Sequence, residues 1–160
     1  YSLAMIVEDE RSKLPGLKVE LFGSDIGERQ LEKAQSGFYT QFEVQRGLPI
    51  RLLIRHFERD GEMWAISPRI RQMVRWRRVN LVADLSTAGR FDVIFCRYVI
   101  SALVEPMRVR LLENLARALA PEGFLFLGQD EDVAGLQGAF QPVGGRPGLY
   151  ARNPAFRIAA

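Results

Sequence analysis

Apolar and polar positions alternate with two periods along this chain, and the switches between them mark the elements. Leu3, Ile6 and Val7 recur at helical spacing and predict a helix over Ser2 to Glu10, ended by Pro15 and Gly16. Lys18 to Phe22 alternates as a strand does, and Gly23-Ser24-Asp25 turns the chain into a second helix, about Glu28 to Ser36, closed by Gly37. A helix near Pro49 to Phe57 follows, then two short strands around an Asp60-Gly61 turn, and a short helix capped by Ser67 with Pro68 at its first position. Val74 to Val79 and Phe91 to Cys96 read as strands, the second apolar enough for burial on both faces of a parallel sheet. Pro106 opens a long helix, Glu105 to Leu119, whose Leu112, Leu115, Ala116 and Leu119 share a face. Phe124 to Leu127 is the next strand, and Phe140 to Val143 with Leu149 to Arg152 make a terminal hairpin.

Strands alternating with helices imply an α/β fold with a doubly wound sheet, here one domain over residues 1–160 with a small β ribbon inserted at about 38–73. The parallel strands expected in that sheet are Lys18 to Phe22, Val74 to Val79, Phe91 to Cys96 and Phe124 to Leu127. Ligands of such sheets bind beyond the carboxyl ends of the strands. That rule directs attention to Ser24-Asp25, Asn80-Leu81, Arg97-Tyr98 and Gly128-Gln129, with Asp25, Asn80 and Arg97 expected to converge.

Composition narrows the picture. With 160 residues, 48% of them hydrophobic, the chain builds a core without metals or disulfides. No apolar run approaches the roughly 20 residues of a membrane helix, so no membrane insertion is expected. The single Cys96 and single His56 leave no disulfide framework and no zinc-type cluster, so no metal is expected and a reducing cytoplasm is the natural home. Cys96 reads as an inert core thiol and His56 as a surface or half-buried histidine. Tyr1 is not an initiator methionine, and the natural polypeptide is expected to extend upstream. The net charge is only +3, but Arg69, Arg71, Arg75, Arg77 and Arg78 lie close together, either as a patch for phosphates or acidic proteins or as a solvated face.

Three residues carry candidate chemistry. Asp25 at a strand end either accepts both hydroxyls of a ribose or caps the helix that Glu28 opens. Asn80 offers a donor and an acceptor to an adenine edge, with Leu81 packing on the base, or simply forms a turn. Arg97 ends a very apolar strand and meets either a ligand carboxylate or a structural acid.

The order of these segments resembles the CheR-type chemotaxis-receptor glutamate methyltransferases. Tyr1-Ser2-Leu3-Ala4-Met5 is similar to the family's Tyr-Ser-(Ile/Leu)-Ala-Met, and Gly23-Ser24-Asp25-Ile26 to its Gly/Ala-Thr-Asp-Ile. Ser36-Gly37-Phe38-Tyr39 resembles its Gly-Ile-Tyr, and His56-Phe57-Glu58-Arg59 through Trp64 and Ile66 resembles its hairpin. Val79-Asn80-Leu81, Phe91-Asp92-Val93-Ile94-Phe95-Cys96-Arg97 and the stretch from Leu115 to Gly128 complete seven ordered matches. The resemblance implies a Rossmann-like S-adenosylmethionine-dependent methyltransferase sheet and S-adenosylhomocysteine as product. It implies that Asp25 holds the ribose, that Asn80 and Leu81 border the adenine, and that Arg97 and Tyr98 contact the rest of the cofactor and serve catalysis. The implied substrate is the glutamate side chains of chemoreceptor cytoplasmic helices, an acidic protein surface, with no nucleic acid. The family's glycine-rich loop would precede Tyr1. At the cleft Tyr98 stands where the family has Asn, Ser101-Ala102-Leu103 replaces an Ile-Tyr-Phe segment, and Gly128-Gln129-Asp130-Glu131 replaces Gly-His-Ser-Glu. Those departures leave an alternative, a catalytically degenerate CheR-like binding or regulatory module.

Overall fold

A computed structural model of the chain describes residues 1–85, 88–153 and 155–156. It divides into two compact units, Tyr1–Asn80 and Leu81–Ala160.

In the first unit, Ser2–Asp9 forms α1, which buries Ala4 and Met5. The strand expected over Lys18 to Phe22 lies three residues later, at Leu21–Asp25 (β1). The alternation at Lys18-Val19-Glu20 is an exposed lead-in, with Lys18 Nζ 2.6 Å from Glu20 Oε1, and pairing with the later strand begins only at Leu21. Glu28–Ser36 (α2) follows as expected, and Gly37 ends it at φ 71°, the left-handed conformation that glycine takes without strain.

The inserted segment is a three-stranded antiparallel sheet. Phe57–Asp60 (β3) and Met63–Ile66 (β4) form the expected hairpin, but the two loop residues are Gly61 and Glu62, because Asp60 still pairs with Met63. Gly61 sits at φ 59°, as a tight hairpin loop requires. Phe38–Thr40 (β2) adds a third strand on the other side of β4, giving the order β2-β4-β3. Gln41–Gln45 (α3) opens on a full capping box, in which the Thr40 hydroxyl accepts from the Glu43 amide and the Glu43 carboxylate from the Thr40 amide. Ile50–His56 (α4) and Pro68–Gln72 (α5) complete this part, Ser67 capping α5 ahead of Pro68. Ala4, Met5, Val44, Leu53, Phe57, Ile66 and Ile70 share one buried core. His56 is buried rather than half-exposed, its Nε2 3.0 Å from Asp9 Oδ1, so a carboxylate on α1 satisfies the ring that α4 takes inside. Val74–Arg78 (β5) pairs parallel with β1, Leu21 opposite Val74 through Asp25 opposite Arg78.

The second unit is built on Phe91–Cys96 (β6), which pairs parallel with Leu119–Leu127 (β7). Glu105–Ala118 (α6) precedes β7 directly, with Pro106 in its first turn. The strand therefore starts five residues before the expected Phe124 and takes in Pro121. It does so through a bulge, the register jumping from Phe91 opposite Leu119 to Val93 opposite Phe124, which accommodates a residue with no N–H to give. Leu111, Leu112, Leu115 and Ala116 of α6 pack with Cys96, Leu119, Leu125, Leu127 and Phe140 in the core. Burial of each large aliphatic side chain there stabilises the unit by about 1.5–3 kcal/mol. β6 is not buried on both faces as its sequence suggests. Its Ile94 and Cys96 face the core, whereas Val93 and Phe95 on the opposite face are each 45% exposed and Phe95 stacks on Phe126 at 4.4 Å. Phe140–Pro142 (β8) and Leu149–Arg152 (β9) form the terminal hairpin, and β9 pairs antiparallel with β7, giving the order β6-β7-β9-β8.

Candidate functional site

Parallel pairing aligns strand ends, so each unit presents the carboxyl ends of two strands side by side. In the first unit Asp25 is the last residue of β1, and its carbonyl accepts the Val79 amide at 3.0 Å, which brings Asn80 to the same end of the pair. The Asp25 side chain is exposed, and its Oδ1 accepts the Gly27 amide at 2.8 Å. That bond shapes the turn into α2, but the N-cap is Gly27 and no side chain caps the helix, so Asp25 braces the turn and does not cap α2 as one of its two readings expected. Gly23 lies beneath this end with Trp76 across it, where a Cβ would meet the indole at 2.4 Å. Asn80 is exposed and closes the first unit.

Leu81 opens the second unit, partly buried against its core, and its carbonyl accepts from Asn114 Nδ2 at 2.9 Å. At the carboxyl end of β6, Arg97 and Tyr98 are both exposed and engage each other. The guanidinium sits 5.1 Å from the centre of the Tyr98 ring and donates to the phenol oxygen at 3.2 Å. Tyr98 has φ 60°, a region that a tyrosine enters only when its surroundings hold it there.

Its amide meets a residue that reasoning from sequence passed over. Glu131, 7% exposed, accepts the Tyr98 amide at 2.6 Å and the Gly128 amide at 2.8 Å through Oε2. Through Oε1 it accepts the Ser101 amide at 3.0 Å and the Ser101 hydroxyl at 3.2 Å. Burial pushes this carboxyl upward, but the amides of Ser101, Gly128 and Tyr98 and the Ser101 hydroxyl outweigh it and hold the group below the usual carboxylate range. A signal was present in the sequence. Gly128 and Glu131 are the two positions of the Gly-Gln-Asp-Glu quartet that keep the family's residues. Cys96, one residue before Arg97, is buried, and burial first and the Glu131 charge second push its thiol up to about 12.

The five clustered arginines are exposed, and each also meets a neighbour within its unit. Arg69 pairs with Glu8, Arg71 donates to the Ser36 carbonyl at 3.2 Å, and Arg75 is 3.9 Å from Glu20. Arg77 lies 5.7 Å over the Phe22 ring, and Arg78 binds Glu28 at 2.9 Å and the Ile26 carbonyl at 3.1 Å. The sequence brings these residues close together, but α5 and β5 direct each to a neighbour within the unit. Among the described residues no group of His, Cys, Asp and Glu side chains is arranged to hold a metal ion, and no helix is long and apolar enough to cross a membrane.

A family model described as CheR methyltransferase, SAM binding domain, matches residues 1–149. Chemotaxis protein methyltransferase Cher2 of Pseudomonas putida is 33% identical over 153 residues, which cover 93% of this chain and 56% of that protein. Chemotaxis protein methyltransferase 2 of Pseudomonas aeruginosa is 35% identical over 150 residues, covering 90% and 52%. The chemotaxis protein methyltransferase of Escherichia coli is 34% identical over 145 residues, covering 88% and 50%. The chain spans about half the length of the curated relatives it matches.

Proposed function

Because the chain belongs to the CheR methyltransferase family, over that family's S-adenosylmethionine-binding domain, we propose that it acts in a protein-glutamate O-methyltransferase whose substrates are chemoreceptors. The observation that carries this reading is the exposed Asp25 carboxylate at the carboxyl end of β1, beside Asn80 at the same end of β5. The donor set suits the cofactor. Asp25 keeps acceptor capacity for ribose hydroxyls beyond the one bond to Gly27, Asn80 offers both a donor and an acceptor to adenine, and Leu81 offers an apolar surface to the base. For Arg97 and Tyr98 the family resemblance implies a role toward the remainder of the cofactor and the reacting carboxylate. When bound, S-adenosylmethionine supplies a methyl group on a sulfonium, which an ionised substrate carboxylate accepts without a strong base.

The chain's own residues therefore position rather than deprotonate, a contribution worth on the order of 7–11 kcal/mol when two reactants are well oriented. The Arg97 guanidinium balances carboxylate charge, and Tyr98 gives an aromatic wall next to it. The partner is a chemoreceptor's cytoplasmic helices, which places the protein in the cytoplasm.

Calorimetry with S-adenosylhomocysteine, followed by methyl transfer from labelled S-adenosylmethionine to a chemoreceptor cytoplasmic fragment, tests both halves. Saturable binding and base-labile label on glutamates are expected. Binding without transfer would leave the degenerate binding module, favoured by Tyr98 in the place of the family's Asn. Absence of binding would overturn the whole reading.

A further inference from the structure

Glu131 is a buried and fully engaged carboxylate, and its contacts rule out one role while defining another. Its two oxygens accept four hydrogen bonds, from Tyr98, Gly128 and twice from Ser101. A carboxylate so occupied and only 7% exposed has no lone pair directed at a substrate proton, so it is not a general base. The donors come instead from three places that the chain must bring into register. Tyr98 follows β6, Ser101 lies in the 3-10 turn Ile100–Ala102, and Gly128 follows β7. The fit around Glu131 is close. A Cβ on Gly128 would lie 2.7 Å from Glu131 Oε2 and 3.1 Å from the Tyr98 ring, so this position accepts glycine and the ring rests directly on its backbone. Tyr98, held at its centre, is also the one non-glycine residue with positive φ among the described residues.

We propose that Glu131 is a positioning residue: it pins the left-handed backbone of Tyr98, and Ser101 beside it, against Gly128, and thereby sets where Arg97 and Tyr98 present their side chains at the carboxyl ends of β6 and β7. The inference rests on the proposed cofactor role of Arg97 and Tyr98. Left to itself a tyrosine at this position relaxes to negative φ, which turns its ring and the Arg97 guanidinium that stacks on it away from their present places. An asparagine, which enters the left-handed region far more readily, needs the clamp less. The two positions are therefore coupled, with the buried carboxylate compensating for the bulky residue.

The test is a double-substitution cycle on the full chain, read by S-adenosylhomocysteine calorimetry with thermal unfolding as the control for folding. Glu131→Gln retains the shape but sets an NH2 group against backbone N–H donors, and is expected to weaken cofactor binding about tenfold. In the Tyr98→Asn background the same change should cost less than about threefold, since the backbone there holds its conformation with less help. Equal losses in the two backgrounds, or unchanged affinity in Glu131→Gln, would overturn the proposal. Should Glu131→Gln fail to fold, NMR of the wild-type chain decides: amide signals of Tyr98, Ser101 and Gly128 that move together as the Glu131 carboxyl titrates support the clamp, and a Tyr98 amide indifferent to it overturns it. If the wild-type chain binds no cofactor, the methyltransferase reading falls, and the same amide titration still decides whether Glu131 holds Tyr98.

Discussion

Gly23→Ala probes how tightly the parallel pair beneath the Asp25 end is packed. Gly23 lies opposite Trp76, and a Cβ there would sit 2.4 Å from Cζ3 and 2.5 Å from Cε3 of the indole. Non-bonded carbons rest at about 3.5–4.0 Å, so the ring must retreat by roughly an ångström. Its position is fixed from the other side: the indole N–H donates to the Tyr1 hydroxyl at 3.2 Å, the two rings meet edge-on at 5.5 Å, and the Tyr1 hydroxyl donates to the Ala34 carbonyl at 2.7 Å. Overpacking of this kind costs roughly 1–3 kcal/mol. Loss of the edge-on contact adds about 0.5–1.5 kcal/mol. Replacing a strand glycine by alanine returns about 0.5–1 kcal/mol of chain entropy. The balance is a loss of about 1–3 kcal/mol, read as a lower midpoint in urea with an unchanged slope. In a Trp76→Leu background the ring is gone, and Gly23→Ala should then keep only the entropic gain and stabilise the chain by about 0.5–1 kcal/mol. A Gly23→Ala chain as stable as the wild type, or one equally damaged in both backgrounds, would refute the packing argument.

Asp25→Ala should weaken S-adenosylhomocysteine binding by about 1.5–3 kcal/mol by calorimetry, whereas Asp25→Asn, which keeps an acceptor for the Gly27 amide, should lose less. Thr40→Ala removes the hydroxyl half of the capping box on α3 and should lower stability by about 0.5–2 kcal/mol in thermal unfolding. The Cys96 thiol, pushed up to about 12 by burial, should resist alkylation at pH 8 in the native chain and react once the chain is unfolded in urea. Glu131 has its carboxyl lowered in the folded state, so its stabilisation is present above the ordinary carboxyl range and is lost as pH falls through the still lower folded value. Unfolding midpoints measured from pH 6 down to pH 3 should therefore fall more steeply for the wild type than for Glu131→Gln.

Local rules made much of this fold legible. Gly37 at the end of α2, Ser67-Pro68 at the start of α5 and the apolar run Phe91 to Cys96 each specify their element through neighbours in sequence, and each formed with the bounds expected or within a residue or two of them. The errors fall where a partner distant in sequence decides. Leu21 rather than Lys18 begins β1 because Val74 is where the partner strand begins. Phe38–Thr40 becomes a strand because β4 offers it an edge, and Pro121 enters a strand because a bulge opposite Phe91 to Val93 makes room for it. The places of Asp25, Asn80, Arg97 and Tyr98 at or just after strand ends were legible, because strand bounds follow from local pattern. The arginine cluster was left open between a binding patch and a solvated face, and the partners that Arg69 and Arg71 on α5 and Arg75, Arg77 and Arg78 on β5 take could not be read from sequence because each is distant along the chain. Glu131 was missed because two of its three partner residues, Tyr98 and Ser101, lie some thirty residues earlier, so the retained Gly128 and Glu131 were the one sign of it in the sequence.

The two carboxylates show how burial divides labour between residues of one chemical type. Asp25 and Glu131 both lie at or just beyond the end of a parallel strand, and both accept backbone amides. Asp25 is exposed and holds a single turn with one oxygen, so water already solvates it and a ligand hydroxyl can replace that water at little cost. Glu131 is buried, and each of its acceptor positions is met by protein, so any exchange of partners would strand a buried charge or a buried amide. Substitution at Asp25 should therefore appear mainly in cofactor affinity, with stability little changed. At Glu131 it should appear in stability and affinity together, with the affinity part relieved by Tyr98→Asn. If instead Asp25→Ala destabilised the fold and left affinity alone, while Glu131→Gln did the reverse, exposure would be a poor guide to which carboxylate meets the ligand, and the assignment of both residues would have to be exchanged.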